Sequence, residues 1–420
     1  MMVFKVKSKT LQDVLKVLYG NIVSQGLGFL TIILISRDLG AEQYGIFSLL
    51  LAIFTISVQV SDFGVSTSYI KYLSENVSQS REIFFTVIIS KIVLSILIII
   101  SLYFLSEYIS IFFFDSNIYS KLIQFISFAI LFHSIVSVIA ANYQAKQQFR
   151  YFAFMNIFNN LLKLITILMI AFFFVENKHL VYYVYIYSFS PLSILLFFMI
   201  KRYKEFTLQN RFQFYHFIQI YKLGFWIFLS SLATMIMMRL DIMMLQKMST
   251  SQEVGYYSVA MNLAMIFPLI TSSLTTTLLP KLNDFLKNHS LKEYIAKILV
   301  NIKYIILLLI ILELLSPYII TVLFGHMYIH SVKVFQVLIV AFTFGIIVNP
   351  ISIIIYSINR AYVGTVLNWI QLPLNYFGNV LFIPLFGAFG AAMSTVLIYI
   401  FAGIFIYVYL IKYIGKNINE

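Results

Sequence analysis

Long apolar segments separated by short polar connections run through this chain, and they restrict what it can fold into. A helix needs about 20 predominantly apolar residues to cross the hydrocarbon core of a bilayer. Segments of this length recur throughout the sequence, in which only 11% of the 420 residues are charged. Soluble domains carry about 25% charged residues. The sequence therefore predicts an all-α integral membrane protein.

A window of this length finds twelve predicted transmembrane spans. They cover residues 14–36, 44–70, 84–105, 121–145, 153–175, 180–200, 217–245, 254–279, 298–323, 332–357, 363–383 and 388–411. The longest polar connection runs from Lys201 to His216 and divides the spans into two sets of six. We therefore predict two six-helix bundles, the first over residues 1–205 and the second over residues 206–420.

A half-chain repeat favours this division. The segment from Arg37 to Gly45 lies between the first two spans, and a similar segment, from Lys247 to Gly255, follows 210 residues later. We interpret Gly40 and Gly45 as residues that turn the chain. Because six spans return the chain to its starting side, the repeat predicts two parallel, pseudo-symmetric bundles with the substrate path between them.

The positions of Lys and Arg predict the orientation. Five of these residues lie between Lys201 and Lys222, whereas the connections that contain Arg37 and Lys247 hold one each. Positively charged connections stay in the cytoplasm. We therefore expect both termini to lie in the cytoplasm. This distribution accounts for the net charge of +13 without nucleic-acid binding, which needs a phosphate-tracking basic face.

Four cations lie inside predicted spans. Lys163 is expected near the membrane midplane and Arg239 in the outer half, while Lys91 and Lys303 are close enough to the cytoplasmic interface for their stems to reach it. A cation at the membrane centre costs about 2.5–3.5 kcal/mol. We therefore interpret Lys163 as a ligand of an anionic group. Lys91, Lys303 and Arg37 are secondary cation candidates.

Three carboxylates, those of Asp62, Asp241 and Glu313, also lie in spans. Ionisable groups at membrane depth mark ion and proton pathways. These three residues are therefore candidates for coupling transport to an ion. Because residues two apart on a helix point in different directions, Arg239 and Asp241 are expected to find partners on other helices.

Polar side chains form stripes along several spans. Asn156, Asn159 and Asn160 lie in the fifth span, and Asn368, Gln371, Asn375 and Asn379 lie in the eleventh. Residues three or four apart share one helix face. Interhelical hydrogen bonds, worth about 0.6 kcal/mol each, are one explanation. A hydrated cavity that meets the substrate is the other, and the abundance of Asn and Gln favours it.

The sequence lacks the residues that several classes of function need. The sequence has no cysteine, so thiolate catalysis and cysteine metal sites are excluded. It also has no phosphate-binding loop, dinucleotide glycine motif, HExxH motif or nucleophile elbow. We therefore predict no enzymatic activity, no cofactor and no metal site.

Several motifs together point to one family. They are Asn21-x3-Gln25-x3-Phe29, Arg37-x-Leu39-Gly40-x3-Tyr44-Gly45-x-Phe47-Ser48, Asp62-Phe63-Gly64, Asp241, Val254-Gly255-Tyr256-Tyr257-Ser258-x-Ala260, Leu279-Pro280-Lys281 and Gly387-x2-Gly390-Ala391-Ala392. With these motifs the chain resembles the Wzx-type polysaccharide flippases for O-antigen or capsule repeat units. Those flippases belong to the multidrug, oligosaccharidyl-lipid and polysaccharide exporter (MOP) superfamily.

The resemblance implies a fold and a function. The fold would be a V of two six-helix bundles with alternating access. The function would be flipping of an undecaprenyl-pyrophosphate-linked oligosaccharide to the periplasmic leaflet for surface polysaccharide biosynthesis. Lys163 and Arg239 would bind the pyrophosphate, and the Asn and Gln stripes would contact the sugars. The implied partners are this lipid-linked substrate, membrane lipids and a polysaccharide polymerase with its chain-length machinery.

Two alternatives remain open from the sequence. A drug/cation antiporter of the same fold would require acidic rather than basic charge in its cavity. An integral-membrane polysaccharide polymerase would carry a sizeable loop outside the membrane. The longest predicted outward connection, from Ser106 to Ser120, is short, so the polymerase is the weaker alternative.

Overall fold

The computed structural model describes residues 8–76, 79–173, 179–202, 211–268, 271, 282, 293, 302–357, 360 and 362–417. Its helices are α1 (Ser8–Asp62), α2 (Val65–Glu75), α3 (Ser80–Phe114), α4 (Ser120–Ser127), α5 (Ala129–Ala145), α6 (Phe149–Phe173), α7 (His179–Arg202), α8 (Phe214–Met248), α9 (Ser251–Ala264), α10 (Ile302–Phe324), α11 (Ser331–Ser357) and α12 (Tyr362–Asn417). A short 3-10 helix occupies His326–Tyr328. These residues contain no β-strand, so the predicted all-α fold class is confirmed.

Nine helical stretches in the described residues are long and apolar enough to cross a membrane. Two of them, Tyr19–Glu75 and Tyr362–Lys412, each contain two predicted spans, and the other seven contain one each. The remaining predicted span, 254–279, begins within α9, and most of its second half lies outside the described residues. The chain is therefore a multi-pass membrane protein.

Two glycines break the longest helices. Gly40 in α1 has φ 71° and ψ 174°, and Gly387 in α12 has φ 55° and ψ −131°. A positive φ is readily adopted by glycine because it has no Cβ atom. The predicted turning role of Gly40 is thereby confirmed. Each break falls between two predicted spans.

The chain divides into two compact units. Unit 1 consists of Met1–Leu39 and Leu49–Met235, and unit 2 consists of Gly40–Ser48 and Ile236–Glu420. The predicted bundle boundary between residues 205 and 206 lies outside the described residues, and it stays a prediction.

Each unit has its own apolar core. The core of unit 1 is built by buried side chains of α2, α3 and α5 to α8, among them Tyr69, Ile83 and Tyr143. The core of unit 2 includes side chains of α11 and α12, such as Ile354 and Ile406. Burial of apolar side chains on one face leaves the opposite faces for polar groups or lipid.

The start of the second half of α1 packs closely against α9 within unit 2. A Cβ atom on Gly45 would overlap the carbonyl oxygen of Ser251, and a Cβ atom on Gly255 would overlap the carbonyl oxygen of Ala41. Only glycine fits at both positions without a backbone shift. Gly45 was predicted to turn the chain, but in the structure the turn is made at Gly40. Gly45 instead allows the close contact between α1 and α9.

Candidate functional site

A buried ion pair joins the end of α1 to α3 within unit 1. The ammonium group of Lys91 donates to Asp62 Oδ1, and Lys91 is 1% exposed whereas Asp62 is 18% exposed. Two hydroxyl groups complete the cluster, since Lys91 Nζ lies 3.0 Å from Ser137 Oγ and 3.3 Å from Ser66 Oγ. Gly64, with φ 67°, lets the chain turn from α1 into α2 beside this pair.

This ion pair corrects one expectation from the sequence. The stem of Lys91 was expected to reach the membrane interface, and that expectation is wrong because Lys91 is buried against Asp62. A buried cation is tolerated when a carboxylate and further hydrogen bonds compensate its desolvation. Lys303 is exposed, and its Nζ lies 5.1 Å from the centre of the Tyr304 ring.

A cavity of about 400 Å³ opens beside the ion pair, and we call it the Asp62 chamber. Its walls come from α1, α2, α3, α5 and α8, together with Gly64. The lining residues are Val58, Gln59, Asp62, Gly64, Ser66, Thr67, Lys91, Ser134, Ser137, Ile227 and Ser231. All of them belong to unit 1. Most of the lining residues therefore have polar side chains, although they lie inside an apolar helix bundle.

A second buried cation of unit 1, Lys163, lies on α6 and is 9% exposed. Its Nζ lies 4.3 Å from the centre of the Tyr187 ring on α7. Such a cation–π contact contributes from about 0.5 to 2 kcal/mol, depending on desolvation. In contrast to Lys91, Lys163 has no carboxylate partner among the described residues. Its positive charge is therefore not neutralised by that part of the chain.

The predicted stripe on α6 lies along the helix that carries Lys163. Asn160 Nδ2 lies 2.7 Å from Ser24 Oγ, and Ser24 Oγ donates to the backbone carbonyl of Asn156 at 3.1 Å. Asn159 has a buried Oδ1 without a hydrogen-bond partner in the described residues. Part of the stripe therefore joins α6 to α1, as the interhelical explanation predicts. Asn159 retains capacity to accept a further hydrogen bond.

A buried carboxylate forms the centre of a polar cluster in unit 2. Asp241 on α8 is 4% exposed and accepts hydrogen bonds from Tyr257 Oη, from Asn379 Nδ2 at 2.6 Å and from Thr395 Oγ1 at 3.2 Å. Asn379 Nδ2 also lies 2.9 Å from Asn375 Oδ1. These partners lie on α9 and α12, so the expectation that Asp241 has partners on other helices is confirmed. All three donors are neutral groups.

The predicted stripe on α12 contributes to this cluster in part. Asn375 is buried beside Asn379, whereas Gln371 is buried with its Nε2 3.5 Å from the carbonyl oxygen of Ile398. Asn368 is only half-buried. The structure therefore brings Asp241 and Asn375 together, and Gln371 contacts the helix backbone.

Three other predicted site residues are less deeply buried than Lys91, Lys163 and Asp241. Arg239 on α8 and Glu313 on α10 are half-buried, and Arg37 is exposed just before the break in α1. The backbone carbonyl of Glu313 accepts a hydrogen bond from Gln336 Nε2 at 3.3 Å. The functions of these three residues stay predictions.

Asn379, the last residue of the predicted stripe, lies in the Asp241 cluster, because Gln371, Asn375 and Asn379 follow one another at intervals of four. Tyr257 and Thr395 were not predicted as site residues. Tyr257 was noted only as part of a family motif, and Thr395 is a single hydroxyl.

Solved structures of transporters share this fold. The lipid II flippase MurJ, in an inward closed conformation, superposes with a TM-score of 0.76 at 17% identity, covering 94% of this chain and 87% of that one. An inward-facing multidrug resistance MATE family transporter of the MOP superfamily gives 0.70 at 13% identity, covering 93% and 95%. A MOP superfamily transporter from Pyrococcus furiosus gives 0.59 at 12% identity, covering 94% and 93%. No curated protein matches this sequence.

The long apolar helices define a multi-pass membrane protein that shares its fold with these MOP-superfamily transporters. The sequence identifies its family more closely. Residues 10–286 match the family described as polysaccharide biosynthesis protein, which is more than half of the chain. The protein belongs to this family of MOP-superfamily flippases, whose substrates are lipid-linked.

Proposed function

We propose that this protein flips an undecaprenyl-pyrophosphate-linked oligosaccharide across the bacterial cytoplasmic membrane, for assembly of a surface polysaccharide. Membership of the flippase family supports the general activity. Lys163 is the single observation that carries the finer proposal, because it is a buried cation without a carboxylate partner among the described residues.

A buried charge is stable only when an opposite charge or strong hydrogen bonds compensate its desolvation. Asp62 supplies that compensation for Lys91, whereas the aromatic ring of Tyr187 compensates Lys163 only in part. A pyrophosphate group would bring several negative charges to the Lys163 ammonium, and Lys is a common phosphate ligand. We expect Lys163 to bind the headgroup. The participation of Arg239 in headgroup binding stays a prediction.

The oligosaccharide part of the substrate is proposed to contact the stripe on α6. Asn159 lies four residues before Lys163, so the two side chains share one helix face. The unsatisfied Oδ1 of Asn159 can accept a hydrogen bond from a sugar hydroxyl. Lys163, which would bind the phosphate, and Asn159, which would bind a sugar, would then lie about one helical turn apart on α6.

Asp241 is the carboxylate that we propose for ion coupling. Asp62 is already paired with Lys91, and Glu313 is half-buried rather than enclosed. Asp241 is buried among the neutral groups of Tyr257 and its other partners, so a proton or a small cation would find no competing positive charge among those partners. Buried carboxylates of this kind serve as relays in pumps and transporters.

We also propose the orientation and the partners that the sequence predicts. Both termini would lie in the cytoplasm, and the substrate would pass to a polysaccharide polymerase in the periplasm. The excess of Lys and Arg between Lys201 and Lys222 supports this orientation.

Substitution of Lys163 tests the proposal in cells that depend on this protein for their surface polysaccharide. Lys163→Gln should reduce the polysaccharide at least about tenfold, because it removes a charge-assisted hydrogen bond to phosphate. Lys163→Arg should retain most of it. Lys71→Ala, which alters an exposed lysine of the same unit, is the control. Normal polysaccharide in cells with Lys163→Glu would contradict the proposal.

A drug/cation antiporter of the same fold is the second candidate. The observation that favours it is the buried carboxylate of Asp241 with its neutral neighbours. An antiporter would export a cationic dye such as ethidium from cells, and Asp241→Asn would abolish that export. The flippase proposal predicts no ethidium export by the wild-type protein.

A further inference from the structure

We propose that the Asp62 chamber binds a neutral, hydroxyl-rich group, namely one sugar ring of the transported oligosaccharide. This inference rests on the proposed function and adds a binding site to it. The chamber lies among α1, α2, α3, α5 and α8, whereas the sugar contact proposed above lies on α6. The two sites would therefore hold different parts of one substrate.

The size and the charge of the chamber restrict its ligand. Its volume of about 400 Å³ falls within the range of about 300–1,000 Å³ typical of ligand pockets. Lys91 and Asp62 neutralise one another, and all other lining residues are uncharged. A phosphate would meet the Asp62 carboxylate, and a cation would meet the Lys91 ammonium. A neutral ligand avoids both repulsions.

The unused hydrogen-bonding groups of the chamber are mainly acceptors. Asp62 Oδ2 accepts only the backbone N–H of Ser66, at 3.4 Å. Gln59 donates through Nε2 to Ser231 Oγ at 2.9 Å, and its Oε1 has no partner among the described residues. The hydroxyl group of Thr67 also has no partner in that part of the chain. A ligand that donates several hydrogen bonds would satisfy these atoms.

A sugar ring has this chemistry, because its hydroxyl groups are neutral, donate hydrogen bonds and stand close together. The lysine of the ion pair does not compete for these hydroxyl groups, because Lys91 is 1% exposed and its three N–H donors already point to Asp62, Ser66 and Ser137. Gln59 and Asp62 are half-buried and Thr67 is exposed. Their open hydrogen-bonding atoms can therefore be reached by a hydroxyl-rich ligand.

Binding of free glycosides to the purified full-length protein tests this inference. The probes are methyl α-glucopyranoside, methyl α-galactopyranoside and the methyl glycoside of N-acetylglucosamine. The detergent should be lauryldimethylamine oxide, because it has no sugar headgroup that could compete. Saturation-transfer NMR or calorimetry would give the dissociation constants. Inorganic pyrophosphate is titrated in parallel as a probe of the Lys163 site.

Two variants remove the open hydrogen-bonding groups without changing the ion pair. Gln59→Leu and Thr67→Val should each weaken glycoside binding about threefold to tenfold, the effect of one lost hydrogen bond. Thr55→Val is the matched control on α1, since the hydroxyl group of Thr55 bonds to the backbone carbonyl of Leu51 at 2.8 Å. Size-exclusion chromatography confirms that each variant is folded.

The two arms of the experiment separate this inference from the proposed function. Glycoside binding that falls in both chamber variants and persists in Thr55→Val supports the inference, whatever happens with pyrophosphate. No binding of any glycoside, or equal binding by all variants, would overturn it and identify the chamber as a water-filled cavity. Loss of pyrophosphate binding in Lys163→Gln reports on headgroup recognition alone.

Discussion

Gly45 and Gly255 lie where α1 and α9 cross, and each faces the backbone of the other helix. A Cβ atom on Gly45 would lie 2.9 Å from the backbone nitrogen of Gly255 and would overlap the carbonyl oxygen of Ser251, while a Cβ atom on Gly255 would overlap that of Ala41. Ala41 and Ser251 are 210 residues apart, as are the two glycines. The contact of Gly45 with Ser251 and the contact of Gly255 with Ala41 are therefore related by the same shift of 210 residues as the half-chain repeat.

Alanine at either glycine of this crossing should destabilise the protein. Gly45→Ala or Gly255→Ala would force the two backbones apart, at a cost of about 1–3 kcal/mol for overpacking. The control is Gly26→Ala, whose added Cβ atom meets nothing within 4 Å. That substitution should raise stability by about 0.5–1 kcal/mol, because alanine favours the helix. Thermal unfolding in detergent measures the difference, and equal effects at Gly45 and Gly26 would refute the packing argument.

Removal of one partner of the buried ion pair should be costly, and the two partners should differ. Asp62→Asn leaves Lys91 charged at 1% exposure, whereas Lys91→Met leaves a carboxylate that is 18% exposed beside the chamber. Loss of one partner of a buried pair costs about 3–5 kcal/mol. We expect Asp62→Asn to lower the thermal stability more than Lys91→Met.

A double-mutant cycle measures the coupling of this pair. The double variant with Asp62→Asn and Lys91→Met should be more stable than the sum of the single effects predicts, because no unpaired charge remains. Lys71→Met serves as the exposed control. Strictly additive effects of the two substitutions would show that the ion pair does not contribute as described.

The hydroxyl group of Tyr257 should stabilise unit 2 through the carboxylate of Asp241. Tyr257→Phe should cost about 1.5–3 kcal/mol, the range for a hydrogen bond to a charged group. Tyr256→Phe is a matched control, because it removes a neutral hydrogen bond that Tyr256 Oη accepts from Gln252 Nε2 at 2.7 Å, worth about 0.5–1.5 kcal/mol. If both substitutions lower the unfolding temperature equally, the hydrogen bond from Tyr257 to Asp241 has no more than the strength of a neutral one.

Replacement of Asp241 tests ion coupling separately from folding. Asp241→Asn removes the charge while keeping the shape of the side chain, and the neutral groups of Asn379 and Thr395 can rearrange their hydrogen bonds around it. We expect a folded protein whose transport no longer depends on the proton or sodium gradient. Transport in vesicles with imposed gradients measures this dependence. An unchanged response would assign coupling to another residue.

The helices and their breaks could be predicted from the sequence because both depend on local properties. Apolar windows about 20 residues long predict the spans, and the polar segment that contains Gly40 predicts a turn that the φ of this residue confirms. The break at Gly387 lies between the last two predicted spans and follows from the same local rule. Neither prediction needs knowledge of how helices pack.

The partners of buried charges could not be predicted because they depend on packing between distant segments. Lys91 and Asp62 are 29 residues apart, and Asp241 and Asn379 are 138 residues apart. The depth of Lys91 in its own helix suggested a stem that reaches the interface, and only the position of α1 beside α3 corrects this. Lys163 is a further case, because its contact with the ring of Tyr187 on α7 does not follow from its own helix.

Reconstituted flipping tests the central claim most directly. The purified protein is incorporated into vesicles that contain a fluorescent undecaprenyl-pyrophosphate-linked oligosaccharide, and a membrane-impermeant reagent measures how much of it reaches the opposite leaflet. We predict rapid flipping by the wild-type protein and by Lys163→Arg, and flipping at least about tenfold slower by Lys163→Gln. Flipping by the wild-type protein at the rate of protein-free vesicles would contradict the account.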